Sequence, residues 1–264
     1  KWFSLAGDWK YRIGLSLTGF PPAPVSPVQS SSYPTVLFNA MVKPWTAFPI
    51  KGVIWYQGEA NVGRSEQYGD LFPALITDWR RQWRSDFPFY FVQLANFMES
   101  KKIQPDSEWA ALREAQTKAL KLDQVGMAVT IDIGLADDIH PKNKQEVGRR
   151  LALVALAGSY GKNVSSSAPV FQNYIIKGNK MELDFGQKQD GFQIKGTTLK
   201  GFTIAGPDRV FYPAEAMVHD GKIILSSTEV PAPLAARYGW ADNPDCNLYG
   251  ENGLPVAPFR TDCW

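Results

Sequence analysis

The sequence predicts an α/β chain in which a parallel sheet with helices on its faces occupies residues 1–162 and a β-rich region occupies residues 163–264. Three observations carry this. Short unbroken apolar runs of strand length recur, amphipathic helical stretches alternate with them, and beyond Lys162 short alternating runs are split by turn dipeptides. Strand–helix alternation implies parallel strands joined by right-handed crossovers.

The elements follow in order. Phe20–Pro34 holds five prolines and several serines, so it reads as an extended crossing segment. Lys51–Tyr56 (KGVIWY) has the composition of a strand buried on both faces. Over Glu66–Trp83, residues Tyr68, Leu71, Phe72, Leu75, Ile76, Trp79 and Trp83 form one helical stripe, with Pro73 inside it expected to kink the helix or shift its first turn. Pro88–Leu94 is the next strand, and Ser107–Leu122 is a helix with Ser107 as N-cap. Val125–Ile133 is a β-branched strand. Asn143–Tyr160 is a helix that Gly161 stops. Gly178-Asn179 and Asp220-Gly221 mark antiparallel hairpins.

Composition narrows the function. Hydrophobic residues make up 44% and charged residues 20%, as expected of a globular core. The net charge of +2, without a Lys/Arg run, argues against nucleic acid or a membrane surface as partner. No run of 18 apolar residues predicts a transmembrane helix. Aromatic residues reach 13%, with nine Trp, which serve either a core or sugar stacking. Cys246 and Cys263 could pair or stay free; neither has zinc-site spacing, and no metal or cofactor is expected.

In a parallel α/β sheet, ligands gather beyond the carboxyl ends of the strands. After Lys51–Tyr56 come Gln57, Gly58, Glu59 and Asn61. Amides there can donate to a developing oxyanion, glycine permits close backbone approach, and Glu59 could orient a neighbour or meet a sugar hydroxyl. Loop and helix-capping chemistry is the competing reading. After Val125–Ile133 come Asp137, Asp138 and His140, one of only two histidines. An imidazole is the natural general base at neutral pH, and a nearby carboxylate fixes its tautomer. The same three residues could merely cap the helix near Asn143. His219, before Asp220-Gly221, reads as a hairpin end. No Gly-x-Ser-x-Gly, Gly-Asp-Ser or Gly-Gln-Ser block supplies a nucleophile.

Taken jointly, Ile54–Asn61 (IWYQGEAN), Trp109 with Leu112–Gln116 (LREAQ), Asp138–Gln145 (DIHPKNKQ) and Arg237–Pro244 (RYGWADNP) resemble the sialate O-acetylesterases of the SGNH hydrolase superfamily. The resemblance implies a flavodoxin-like three-layer hydrolase domain and metal-free, cofactor-free cleavage of acetyl esters on sugars, sialic acid being the named substrate. It implies His140 as the base and Asp138 as its partner, with Asp137 the alternative at the superfamily's three-residue offset. Gln57, Gly58, Glu59 and Asn61 match the oxyanion and substrate block. Arg113 and Gln116 support the site from behind or simply pair structurally.

The family's nucleophilic serine lies in a Gly-Gln-Ser-Asn-like block upstream of the position matching Lys1. The hydrolase domain is therefore expected to be incomplete, with open edges and exposed apolar surface. A companion N-terminal half would be the partner, the chain alone would be inactive, and an extracytoplasmic location is expected. Acetylxylan or another polysaccharide is the alternative substrate. A non-catalytic carbohydrate-binding fragment is the alternative function.

Overall fold

The computed structural model describes residues 33–186 and 191–264. The chain divides into two compact units, Lys1–Phe48 and Pro49–Trp264. In the first, the described residues form a π-helical turn, Phe38–Val42, followed by a 3-10 turn, Lys43–Trp45. The proline-rich segment lies almost wholly outside the described residues.

The second unit opens with a parallel sheet of β1 (Val53–Trp55), β2 (Phe89–Val92) and β3 (Val125–Ala128), in that spatial order. Helix α1 (Ser65–Trp83) connects β1 to β2, and α2 (Glu108–Thr117) lies between β2 and β3 in the chain. Helix α3 (Lys144–Gly158) follows β3. Successive side chains of β2 point to opposite faces. Phe89 and Phe91 meet Phe72 of α1, while Tyr90 meets α3, its hydroxyl at 2.8 Å from the Ser159 hydroxyl. Helices therefore cover both faces of β2.

Several expectations need correction. Only one face of β1 is covered: Trp55 packs on Phe72 and Trp79, but Ile54 is 70% exposed. Ile54 registers with Tyr90 and so lies on the α3 face, at the sheet edge. Pro73 lies inside α1, and the helix continues beyond it to Trp83. Leu71 falls outside the buried stripe, 53% exposed. Strand β3 ends at Ala128, five residues earlier than expected, because Thr130 turns back to donate to the Gln93 carbonyl (2.6 Å) and Asp132 leaves to meet Arg150. Helix α2 tightens into a 3-10 turn, Lys118–Lys121, and Ser107 caps its start by accepting from Ala110 N–H at 2.9 Å.

Beyond α3 the chain is antiparallel. The strands are β4 (Asn173–Lys177), β5 (Lys180–Asp184), β6 (Phe192–Ile194), β7 (Phe202–Ala205), β8 (Phe211–Pro213), β9 (Glu215–His219), β10 (Lys222–Ser226), β11 (Ala235–Tyr238), β12 (Leu248–Gly250) and β13 (Phe259–Arg260). Both expected hairpins form, β4–β5 at Gly178 and β9–β10 at Asp220-Gly221. The sheets β4-β5-β10-β9 and β13-β11-β7-β8 share one core, with Met181, Leu183, Ile223 and Leu225 from the first and Phe202, Ile204, Ala236 and Tyr238 from the second. Cys246 and Cys263 are free thiols.

Charged side chains tie this region to the parallel-sheet region: Arg237, in a buried bidentate pair with Asp262 (2.8 and 2.6 Å), donates to the Pro105 carbonyl (2.8 Å), and half-buried Arg260 of β13 reaches Glu114 of α2 (2.9 and 2.8 Å). Of the seven tryptophans among the described residues, Trp55, Trp79, Trp83 and Trp109 belong to the core around α1 and α2.

Candidate active site

The segment after β1 and the loop before α3 face one another across a hollow of about 360 Å³. It is lined by Tyr56, Gln57, Glu59, Ala60, Ile139, His140, Pro141 and Lys144. The topology accounts for this, since both segments leave carboxyl ends of parallel strands.

On the β1 side, polar bonds fix the chain. Gln57 Nε2 donates to Asn61 Oδ1 (2.8 Å), and the Tyr68 hydroxyl lies 3.2 Å from both Gln57 Oε1 and the Gln57 carbonyl. Burial, with the Glu59 charge adding to it, pushes the Tyr56 phenol up to about 12. Gln116 of α2 accepts from Leu94 N–H (2.9 Å) and donates to the Gln57 carbonyl (3.3 Å). Gly58 is buried against this amide: a Cβ would stand 3.1 Å from Gln116 Nε2 and 3.3 Å from Leu94 Cδ2. Its want of a side chain here serves packing.

On the β3 side, the loop is pinned at both ends. A Cβ on Gly134 would collide with the Asn96 carbonyl at 1.8 Å, and Gly134 N–H donates to Asn96 Oδ1 at 2.6 Å. At the other end Asn143 caps α3, accepting from Glu146 N–H at 3.1 Å. Behind the loop Arg150 is buried, paired with Asp132 (2.6 and 2.9 Å) and Glu146 (2.7 Å). Hydrogen bonds from Arg149, then Arg150, hold the Glu146 carboxyl down at about 2.

The imidazole of His140 is 87% exposed. Its backbone N–H donates to Asp138 Oδ1 (2.9 Å), and Nδ1 stands 3.6 Å from the same oxygen, beyond hydrogen-bond range. Asp138 also lies 4.0 Å from Lys142 Nζ. Asp137 is exposed and contributes no bond to His140 among the described residues. The hollow thus gathers His140, Gln57 and Glu59, whereas Gly58, Asn61, Asp137 and Asp138 stand behind its lining.

Arg113 plays no part in the lining. It is fully buried and donates to the carbonyls of Leu94, Ala95, Ala241 and Asp242 at 2.7–2.9 Å. Sequence reasoning gave Tyr56, Tyr68 and Lys144 no role in the site. The one signal for Lys144 was its place four residues beyond His140 at the head of a helix. Among the described residues no group of three His, Cys, Asp or Glu could hold a metal, and no helix is long and apolar enough to cross a membrane.

Parallel strands whose carboxyl ends bring imidazole, carboxylate and amide side chains to one hollow define an α/β protein with a candidate site at the strand ends. The chain belongs to the sialic acid-specific acetylesterase family of carbohydrate esterases, whose model matches residues 26–157. It is 32% identical to the sialate O-acetylesterase of Pongo abelii and 31% identical to that of Homo sapiens, each match covering 95% of this chain and 54% of the relative. The crystal structure of a carbohydrate acetylesterase from Xanthomonas citri is 46% identical with a TM-score of 0.82, over 88% of this chain and 55% of that one. The chain spans about half the length of the curated relatives it matches.

Proposed function

We propose that this chain is the histidine-bearing half of an esterase that removes O-acetyl groups from carbohydrates. A serine supplied by protein upstream of Lys1 attacks the acetyl carbonyl, and His140 takes its proton. Asp138, the carboxylate nearest the ring, supports the imidazolium, with Asp137 as the competing partner. Gln57 and Glu59 line the wall that orients the ester and its oxyanion, with Gly58 and Asn61 supporting it from behind. One observation carries the reading: His140 and Gln57, 83 positions apart in the chain, line the same hollow at the strand ends.

On this reading, residues 1–162 belong to a flavodoxin-like three-layer SGNH domain that other protein completes, and residues 163–264 are its β-rich companion. The exposed Ile54 on edge strand β1 supports a missing neighbour. An enzyme acting on external glycans belongs outside the cytoplasm. Sialic acid is the first substrate class, after the family's name. Acetylxylan or another polysaccharide is the second, in keeping with the 46% identity to an enzyme named simply as a carbohydrate acetylesterase.

The test is acetate release from O-acetylated sialic acid and from acetylated xylan, by this chain and by the full-length protein. The full-length protein should turn over at least one of them, and this chain neither. His140→Ala in the full-length protein should lower kcat by roughly 10⁴-fold or more, as loss of a triad base does. Turnover by the chain alone would refute an external serine. A near-normal rate in His140→Ala would remove the histidine from the mechanism, and sugar binding without turnover would favour a binding module.

A further inference from the structure

The imidazole of His140 is nearly free in solvent, so something other than its own contacts must set where it points. Its loop is anchored on both sides. Ile139, just before it, packs against the core around α1 and α2. Pro141, just after it, is buried. Three residues further on, Lys144 opens α3 and extends its ammonium over the Tyr56 ring, 4.9 Å from the centroid. Tyr56 immediately precedes Gln57 on the opposite wall of the hollow. Among the described residues, Tyr56 is the partner of the Lys144 ammonium, which forms no ion pair. The Tyr56 hydroxyl is buried without a hydrogen-bond partner, so the ring is what this residue offers here.

We propose that Lys144 is a positioning residue for the acetyl-transfer step, its cation–π contact with Tyr56 latching the His140 loop to the wall that carries Gln57. This rests on the esterase reading of the same hollow. The chemistry fits the demand. A cation over an aromatic face needs no exact hydrogen-bond geometry, so even an exposed residue such as Lys144 can bias a short loop through it. Misplacing a catalytic group by a fraction of an ångström is costly in rate while leaving ground-state binding largely intact.

The test uses the full-length protein with Lys144→Met, Lys144→Arg, Tyr56→Leu and the Lys144→Met/Tyr56→Leu double variant, assayed on an O-acetylated sugar. Lys144→Met should lower kcat about tenfold, equivalent to ~1.4 kcal/mol, and change KM by less than about threefold. Lys144→Arg, which keeps a cation for the ring, should restore most of the rate. The double variant should be no slower than the slower single one, because both break the same contact. A kcat for Lys144→Met within about twofold of the parent, a loss confined to KM, no rescue by Arg, or additive losses would each overturn the proposal.

His140→Ala, run alongside, separates the failures: a near-normal rate there removes His140, and with it this hollow, from the mechanism, whereas activity lost there but kept in Lys144→Met sinks only the latch. An activity-free readout uses this chain alone, whose two histidines are His140 and His219. In its NMR spectrum Lys144→Met should shift or broaden the His140 ring signals and leave those of His219 in place. Unchanged His140 signals would overturn the latch.

Discussion

Replacing Arg113 by Met removes a buried guanidinium while nearly keeping its volume, and the cost can be worked bond by bond. Arg113 donates to four carbonyls. Two keep another donor: Ala95 O accepts from Trp109 Nε1 (2.8 Å), and Asp242 O from Phe97 N–H (3.2 Å). The carbonyls of Leu94 and Ala241 lose the bonds Arg113 gave them. At ~1–3 kcal/mol for each buried group left unsatisfied, the loss is about 2–6 kcal/mol. Relief from burying a charge offsets part of this. That burial penalty is real, since it pulls the Arg113 pKa down to about 10. A net destabilisation of about 2–4 kcal/mol is expected, because removing one member of a buried charged network outweighs the desolvation it relieves. Urea unfolding followed by tryptophan fluorescence measures it. A change below ~0.5 kcal/mol, the size of an ordinary surface substitution, would refute the view that Arg113 clamps the β2 end to the 241–242 loop.

Two further predictions concern charge. In the full-length enzyme, Asp138→Asn should reduce kcat far more than Asp137→Asn, by up to ~10⁴-fold if it holds the tautomer; the reverse order would transfer the role to Asp137. Glu146 has its folded pKa depressed to about 2 by Arg149 and Arg150. Its contribution is therefore full above the unfolded carboxylate range and is lost as pH falls from about 4.5 toward about 2. Urea midpoints of Glu146→Gln should fall less steeply across that window than those of the parent, and parallel curves would show that the Arg pair does not stabilise the fold.

Sequence reasoning read the parallel strands, the three helices and both hairpins because each is a local pattern with a period or a turn signature. It misread β1 because apolar composition records what a strand can bury, whereas burial depends on what covers it. Val53–Trp55 is apolar throughout, yet only the Trp55 face meets a helix. It overextended β3 because what ends that strand is long-range: Thr130 answers Gln93, and Asp132 answers Arg150. The site was half legible. His140 and the Gln57 block could be named from their positions after strands. Gln116, Tyr68 and Lys144 bind across 11 to 88 positions of sequence, which no local pattern encodes.

The exposed Ile54 also bears on the chemistry. Its neighbour in register, Tyr90, is covered by α3, so the covering layer stops one strand short of the edge. Fully burying an isoleucine side chain contributes ~1.5–3 kcal/mol, and most of that is unrealised here. An edge strand with an apolar outward face invites another strand and helix rather than water. The same edge strand runs directly into Tyr56 and Gln57, one wall of the hollow. On the proposed reading, a segment that pairs with β1 brings its own strand end alongside that wall, at the end of the sheet where His140 stands open. If the proposed serine stands on that segment, completing the sheet and delivering the nucleophile are one event.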